Sequence, residues 1–294
     1  MSGTGTNGAR SIKRTRRKRD DIDRIRTALY EIIEEHKPVT LRQAFYLAVS
    51  SGIVGKSESE YHRTVGRLLT EMRLTGKMPF SWMVDSTRWM RKPDSYDSLA
   101  DALDQTKHFY RRALWQNQTS YVECWSEKDT LAGVLYPVTS EYDVPLMVTR
   151  GYPSLSYLHT AAAAIKAQEK PTFIYYFGDH DPSGLDIERS IQDRLAEFGA
   201  DVTFQRIAVT KKQIQRLRLA TRPTKKTDSR SKQFQGESVE VDAIPPQTLR
   251  DLLSHMIKLH IDQAALDVLR VAEQSEREIL TRLVETQSGS EPSA

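Results

Sequence analysis

The chain of 294 residues is 38% hydrophobic and 28% charged, the balance of a soluble globular protein long enough for two domains with tails. It contains nothing near the run of roughly 18 apolar residues that a membrane helix requires and no apolar amino-terminal stretch, so a cytoplasmic protein with no membrane partner is expected. Its one cysteine, Cys124, excludes an internal disulfide and a cysteine-based zinc site, and its net charge of +4 is unevenly spread.

Residues 1–19 are rich in Gly, Ser, Thr and Arg without an apolar period and read as a disordered basic tail. Six of its cations fall between Lys13 and Arg19, and a second basic stretch runs from Arg216 to Lys232. Both suit a polyanion such as double-stranded DNA, while the same composition also makes a solubilising tail. From Asp20 to His36, Ile22, Ile25, Leu29, Ile32 and Ile33 recur at helical spacing and predict a first helix. Thr40 is a natural N-cap for a second helix from Leu41 to about Ser50, ended by Gly52. A third is predicted from about Ser57 to Leu74, followed by a short strand or wing over Met78 to Val84. Three short helices and a wing over 20–92 describe a winged-helix domain, with Arg63, Arg67 and Arg73 on the DNA-facing third helix. Ser51 to Ser57 resembles a phosphate-binding P-loop, but the required first glycine falls at Ser50 and the segment follows a helix, so the motif is set aside.

Residues 93–118 form a linker, Pro93 to Asp97, and a helix from about Ser98 to Trp115. Strands then alternate with helices: Tyr121 to Trp125, Lys128 to Val138, Pro145 to Thr149, Ser154 to Gln168, Thr172 to Phe177, Leu185 to Phe198 and Val202 to Val209. Such alternation predicts an α/β domain over 119–286, a parallel sheet with helices on both faces. A strand from Ser238 to Ile244 and two amphipathic helices, Pro246 to His260 and Gln263 to Thr286, complete it, and 287–294 form a second tail.

The chemistry concentrates where the Tyr175-Tyr176-Phe177 strand runs into Gly178-Asp179-His180-Asp181-Pro182-Ser183-Gly184. Side chains alternate along an extended chain, so Asp179 and Asp181 point the same way at the strand's carboxyl end, where open α/β sheets place their sites. Two like charges held together call for a cation, and a hard ion such as Mg²⁺ suits oxygen ligands; Asp, Pro, Ser and Gly are equally ordinary in a solvated turn. Glu127 ends the predicted Tyr121 to Trp125 strand in the same way, and with the aspartates would hold a metal against a phosphodiester. Glu123 competes for that role. Glu240 and Asp242 alternate onto one face of the later predicted strand, with their reach to the metal left undecided. His180 should point away from the aspartates as a packing residue, and His159, His255 and His260 lack ligand spacing and read as structural.

These residues carry a resemblance. Glu127-Lys128-Asp129 with Asp179-x-Asp181-Pro182-x-Gly184 resembles a Toprim domain, in the version found in the A subunit of topoisomerase VI and its meiotic double-strand-break relative. Gly151-Tyr152-Pro153 and Glu240-Val241-Asp242-Ala243-Ile244 resemble further signatures of that family, as does Leu41-Arg42-Gln43-Ala44-Phe45-Tyr46 the segment whose second tyrosine attacks DNA. Phe45 stands where the family often has a first tyrosine, and Gln43 where it has an acid. The resemblance covers roughly residues 38–260 and implies a homodimeric, nucleoid-associated, Mg²⁺-dependent DNA-cleaving topoisomerase-like transesterase. In it Tyr46 would form a 5′-phosphotyrosyl link at the partner subunit's metal site, with Glu127, Asp179 and Asp181 as metal ligands. Arg42, one turn from Tyr46, would steady the phosphate. Strand passage in that family uses a separate ATPase subunit, and nothing in this chain resembles one.

Tyr46 lies off the apolar stripe of Leu41, Ala44, Phe45, Ala48 and Val49, which predicts an exposed phenol, equally compatible with a surface tyrosine on a DNA-binding helix. Two other readings stand beside the transesterase: a hydrolytic Toprim nuclease of a defence system or mobile element, in which water replaces Tyr46, and a non-catalytic DNA-binding protein.

Overall fold

The computed structural model describes residues 17–83, 95–223, 234 and 236–288. Most of the basic tail, the end of the expected wing at Val84, the start of the linker at Pro93, residues 224–232 of the second basic stretch and the last six residues lie outside them.

The amino-terminal unit is three-helical. Helix α1 (Arg19–His36) buries Ile25, Leu29 and Ile33, the residues whose spacing predicts it. Helix α2 (Leu41–Ser50) starts where Thr40 accepts a hydrogen bond from Gln43 N–H while the Gln43 side chain accepts one from Thr40 N–H, a reciprocal capping box. Gly52 ends it with a positive φ of 69°. The third helix is not uniform: a π-helical segment, Glu60–Gly66, runs into α3 (Arg67–Leu74). The expected wing is reduced. Phe80–Trp82 form a 3-10 turn, and Met83 makes a single parallel bridge with Val39.

Helix α4 is shorter than expected, Leu99–Phe109, because the chain turns extended at Tyr110 before a 3-10 turn at Leu114–Asn117. Four parallel strands follow: β1 (Tyr121–Ser126), β2 (Leu146–Val148), β3 (Thr172–Phe177) and β4 (Val202–Ala208), in the order β2-β1-β3-β4. The expected α/β sheet is therefore present, with β1 and β3 at its centre. Glu123 pairs with Ile174 and Ser126 with Phe177, so both central strands end at one level. Between strands run α5 (Ala132–Glu141), α6 (Leu155–Lys166) and α7 (Pro182–Glu197); a short α8 (Lys211–Arg216), absent from the sequence expectation, follows β4. Helices α9 (Pro246–Lys258) and α10 (Gln263–Ser288) close the described chain.

Alternation along β3 sorts the core into two layers. Ile174 and Tyr176 join Trp125 against Leu158 and Ile165 of α6 and Ile187 and Ile191 of α7. Tyr175 and Phe177 join Val122 and Cys124 against Leu135 of α5 and Leu253 and Ile257 of α9. That second layer is continuous with the buried residues of α1, α2 and α3, so the helical unit and the sheet share a core. The strand expected over Ser238 to Ile244 is not formed. Ser238 and Val239 make isolated bridges to Arg222 and His180, and the chain then curls into a 3-10 turn, Val241–Ala243, against which α2 packs. Among the described residues no helix is long and apolar enough to cross a membrane.

The capping box fixes where α2 begins, and with it the height of Arg42 and Tyr46. Thr40→Ala should destabilise the fold by about 1 kcal/mol. Urea unfolding of the variant and the wild type measures this as a lower midpoint with an unchanged slope.

Candidate active site

The site lies at the carboxyl ends of β1 and β3. Glu127 follows β1, donates its backbone N–H to the Phe177 carbonyl at 2.9 Å, and is thereby held beside the turn after β3. Its carboxylate accepts the Asp179 N–H at 3.0 Å. Two glycines permit the approach. A Cβ at Gly178 would lie 2.5 Å from the Tyr176 ring and 2.9 Å from Glu127 Oε2, and one at Gly184 would lie 2.3 Å from the Asp179 carbonyl oxygen. Asp181 is the N-cap of α7, accepting the Gly184 N–H at 2.8 Å, with Pro182 in the first helical turn.

Glu127, Asp179 and Asp181 are thus gathered at one edge of the sheet, and the charges of both aspartates reach Glu127. Burial, reinforced by Asp179, raises the Glu127 carboxyl from an ordinary 4.5 to about 7. Among the described residues no cation forms an ion pair with it. Burial also raises Asp179, against the pull of Lys128. Glu123 is further back in β1, buried, and accepts the Trp125 indole N–H at 2.7 Å, so it serves the core and does not belong to this edge.

Lys128 is the residue whose role the sequence leaves unread. Its ammonium stands 2.9 Å from Asp179, 2.8 Å from Asp242 and 3.3 Å from Glu240. Burial acts to lower its pKa, but Asp242, Asp179 and Glu240 outweigh that and raise it. The turn after Val239 therefore brings Glu240 and Asp242 to Lys128 although they are not on a strand. Asp179 also accepts the Val241 N–H at 2.9 Å, and Arg222 pairs with Glu240 at 2.5 Å and reaches Asp181 at 3.6 Å. Burial would raise Glu240, but Lys128, Arg42 and Arg222 hold it below the usual carboxylate range. Asp242 keeps one buried oxygen, Oδ1, without a hydrogen-bond partner. Lys128, with Arg42 and Arg222 on Glu240, balances the Asp179–Glu240–Asp242 group, while at Glu127 burial and the two aspartates outweigh the pull of Lys128.

The helical unit reaches the same cluster. Arg42 pairs with Glu240 at 3.3 Å and lies over the Tyr61 ring. Tyr46 contradicts the expectation of an exposed phenol: it is 3% exposed and belongs to the shared core. The reason is that α2 is covered on two sides, by the other helices and by the 241–243 turn. Burial and Glu240 raise the Tyr46 hydroxyl to about 12, opposed by Arg222, Arg42 and Lys128 of its own chain. Of the expected DNA-facing residues, Arg63 and Arg67 are exposed, while Arg73 lies over the Phe80 ring and donates to the Leu69 carbonyl. His180 is buried against Phe234, His159 packs on Phe198, and His260 bridges Ser120 and Tyr175, as the packing and structural readings have it.

The carboxylate oxygens of Glu127, Asp179 and Asp181 are the right donors for a hard divalent ion, and the burial and like charge that raise Glu127 are the observation that fits one. Among the described residues no three Asp, Glu, His or Cys side chains already stand at metal-binding spacing. Searches against protein-family models and curated proteins find no match to this chain.

Glu127 also sets a pH dependence for the metal-free protein. Below pH 4.5 it is protonated folded or unfolded; between 4.5 and about 7 only the folded form keeps its proton, so stability falls as pH rises through that window. Glu127→Gln should remove the effect. The variant should match the wild type at pH 4 and exceed it by about 3 kcal/mol above pH 7, read by urea unfolding across the range.

Proposed function

We propose that this protein cleaves DNA phosphodiesters with a divalent cation, Mg²⁺ by choice, held by Glu127, Asp179 and Asp181. The observation that carries the reading is the contact between the two central strand ends, where the Asp179 N–H meets the Glu127 carboxylate in a setting where burial and like charge outweigh the pull of Lys128. A bound Mg²⁺ would supply Lewis-acid polarisation of a phosphoryl oxygen and neutralise developing charge. The chain's own residues do the remaining work. Lys128 opposes the burial that raises Asp179 and fixes its direction, and Arg222, next to Asp181, presents a guanidinium suited to a phosphate oxygen. Exposed Arg63 and Arg67 offer the duplex backbone a second set of cations.

The nucleophile in this arrangement is water. A phenol that is 3% exposed and raised to about 12 neither meets a phosphodiester nor ionises near neutral pH. The topoisomerase-like transesterase is the second reading, and one observation favours it: Tyr46 lies within the electrostatic reach of Arg42, Arg222 and Lys128. For Tyr46 to attack, α2 has to leave the 241–243 turn and present the phenol, to its own site or to that of a second copy in a homodimer.

Supercoiled plasmid incubated with the protein and Mg²⁺, then denatured with and without protease, separates these readings. Hydrolysis should give free 5′ ends, survive Tyr46→Phe, and fall by a factor on the order of 10³ or more in Glu127→Gln and Asp179→Asn. Protein covalently attached to the cut ends, lost in Tyr46→Phe, would establish the transesterase instead. No Mg²⁺-dependent cutting by the wild type would leave a DNA-binding protein without catalysis.

A further inference from the structure

Strand β4 carries one cation into the covered part of the sheet. Arg206 pairs in register with Tyr176 of β3, and its side chain is 9% exposed. The turn after β3 and the start of α7 take up its guanidinium. One terminal nitrogen donates to the carbonyls of Gly178 at 2.7 Å and Asp179 at 3.0 Å, and the other donates to the carbonyl of Gly184 at 3.0 Å. Nε donates to the Glu188 carboxylate of α7 at 2.6 Å, and the Tyr176 ring lies 5.2 Å from the guanidinium carbon.

This contact set bears on the carboxylates without touching them. The carbonyls are those of Asp179 itself and of Gly178 and Gly184 on either side of the Asp179–Asp181 stretch, and the Asp179 N–H on the same turn holds Glu127. A backbone that turns with carbonyls facing inward leaves strong acceptors that need donors. A planar, permanently charged fork supplies several donors in fixed directions, which a lysine ammonium on its flexible stem does not. Glu188 and Tyr176 keep that fork from rotating.

We propose that Arg206 is a positioning residue of the carboxylate site: by gripping the Gly178, Asp179 and Gly184 carbonyls it sets the spacing of Glu127, Asp179 and Asp181. The spacing of cation ligands rests on the functional reading above; the grip on the turn does not. Two measurements on the full chain keep these apart. Amide hydrogen exchange by mass spectrometry over residues 178–184 reads the grip, and Mn²⁺ titration followed by electron paramagnetic resonance reads the ligand spacing.

Arg206→Met should speed exchange in that segment by about tenfold or more while leaving α1 to α3 unchanged. It should also weaken Mn²⁺ binding by about 10- to 100-fold. Arg206→Lys, which keeps the charge and tests the proposal even where the methionine variant fails to fold, should remain defective in both. Wild-type exchange in Arg206→Met, or wild-type Mn²⁺ affinity in Arg206→Lys, overturns the proposal. Failure of the wild-type protein itself to bind Mn²⁺ overturns the cation reading, and the exchange data then decide the grip alone.

Discussion

Everything at the candidate site depends on how one ammonium group divides a crowd of carboxylates. Lys128 lies within 3.3 Å of Asp179, Glu240 and Asp242; Glu240 also pairs with Arg42 and Arg222, so among the described residues it is Asp179 and Asp242 that rely on Lys128 alone. Breaking such a group from one side is costly, on the order of 3–5 kcal/mol, because the abandoned charges stay buried. Glu127 forms no such ion pair among the described residues, and burial and like charge outweigh the pull of Lys128 on its ionisation. A fold gains nothing in stability from that arrangement, and strongly perturbed carboxyls at the ends of parallel strands are a common mark of a working site.

The same cluster couples the helical unit to the sheet. Arg42 of α2 reaches Glu240, Lys56 donates to the Ala220 and Thr221 carbonyls, and Arg250 of α9 reaches the His36 and Pro38 carbonyls. The apolar layer beneath runs from Ile25 and Leu29 through Phe45 and Tyr46 to Val241 and Leu253 without a break. Tyr46 is therefore a member of an interface, and its availability is governed by that interface and not by its own helix. Any chemistry at its hydroxyl would have to be preceded by separation of α2 from the 241–243 turn.

Much of the fold was legible in the residues. The 3.6-residue spacing of α1, the Thr40 cap of α2 and the alternation of strands with helices from Tyr121 to Val209 are local signals, and the structure forms those elements. The meeting of Glu127 with Asp179 follows from the same logic, since both stand just beyond strands that pair in register. One source of the misreadings is that periodicity describes one covered face, and several residues here have two. Tyr46 lies off the apolar stripe of α2, yet a second surface covers it. Gln43 is likewise fully buried, spent on the capping box. Glu240 and Asp242 look like alternate residues of a strand but sit on a turn, where the pull of Lys128 and Arg222 gathers them. Helix α8 carries a Thr210–Gln213 capping box that a pattern search could have found just before the basic stretch. Lys128, Arg206 and Arg222 act through contacts distant in the chain, and only a cation inside a predicted strand, as Arg206 is, hints at such a role.

The central claim is that Glu127 and the aspartates are short of one divalent cation. Crystals grown with Mn²⁺ and measured at a wavelength where manganese scatters anomalously test it directly. The account predicts a peak bonded to both Glu127 and Asp179 at about 2.0–2.6 Å, with Lys128 still against Asp242. A peak elsewhere, or none beside Glu127 at saturating Mn²⁺, would contradict it.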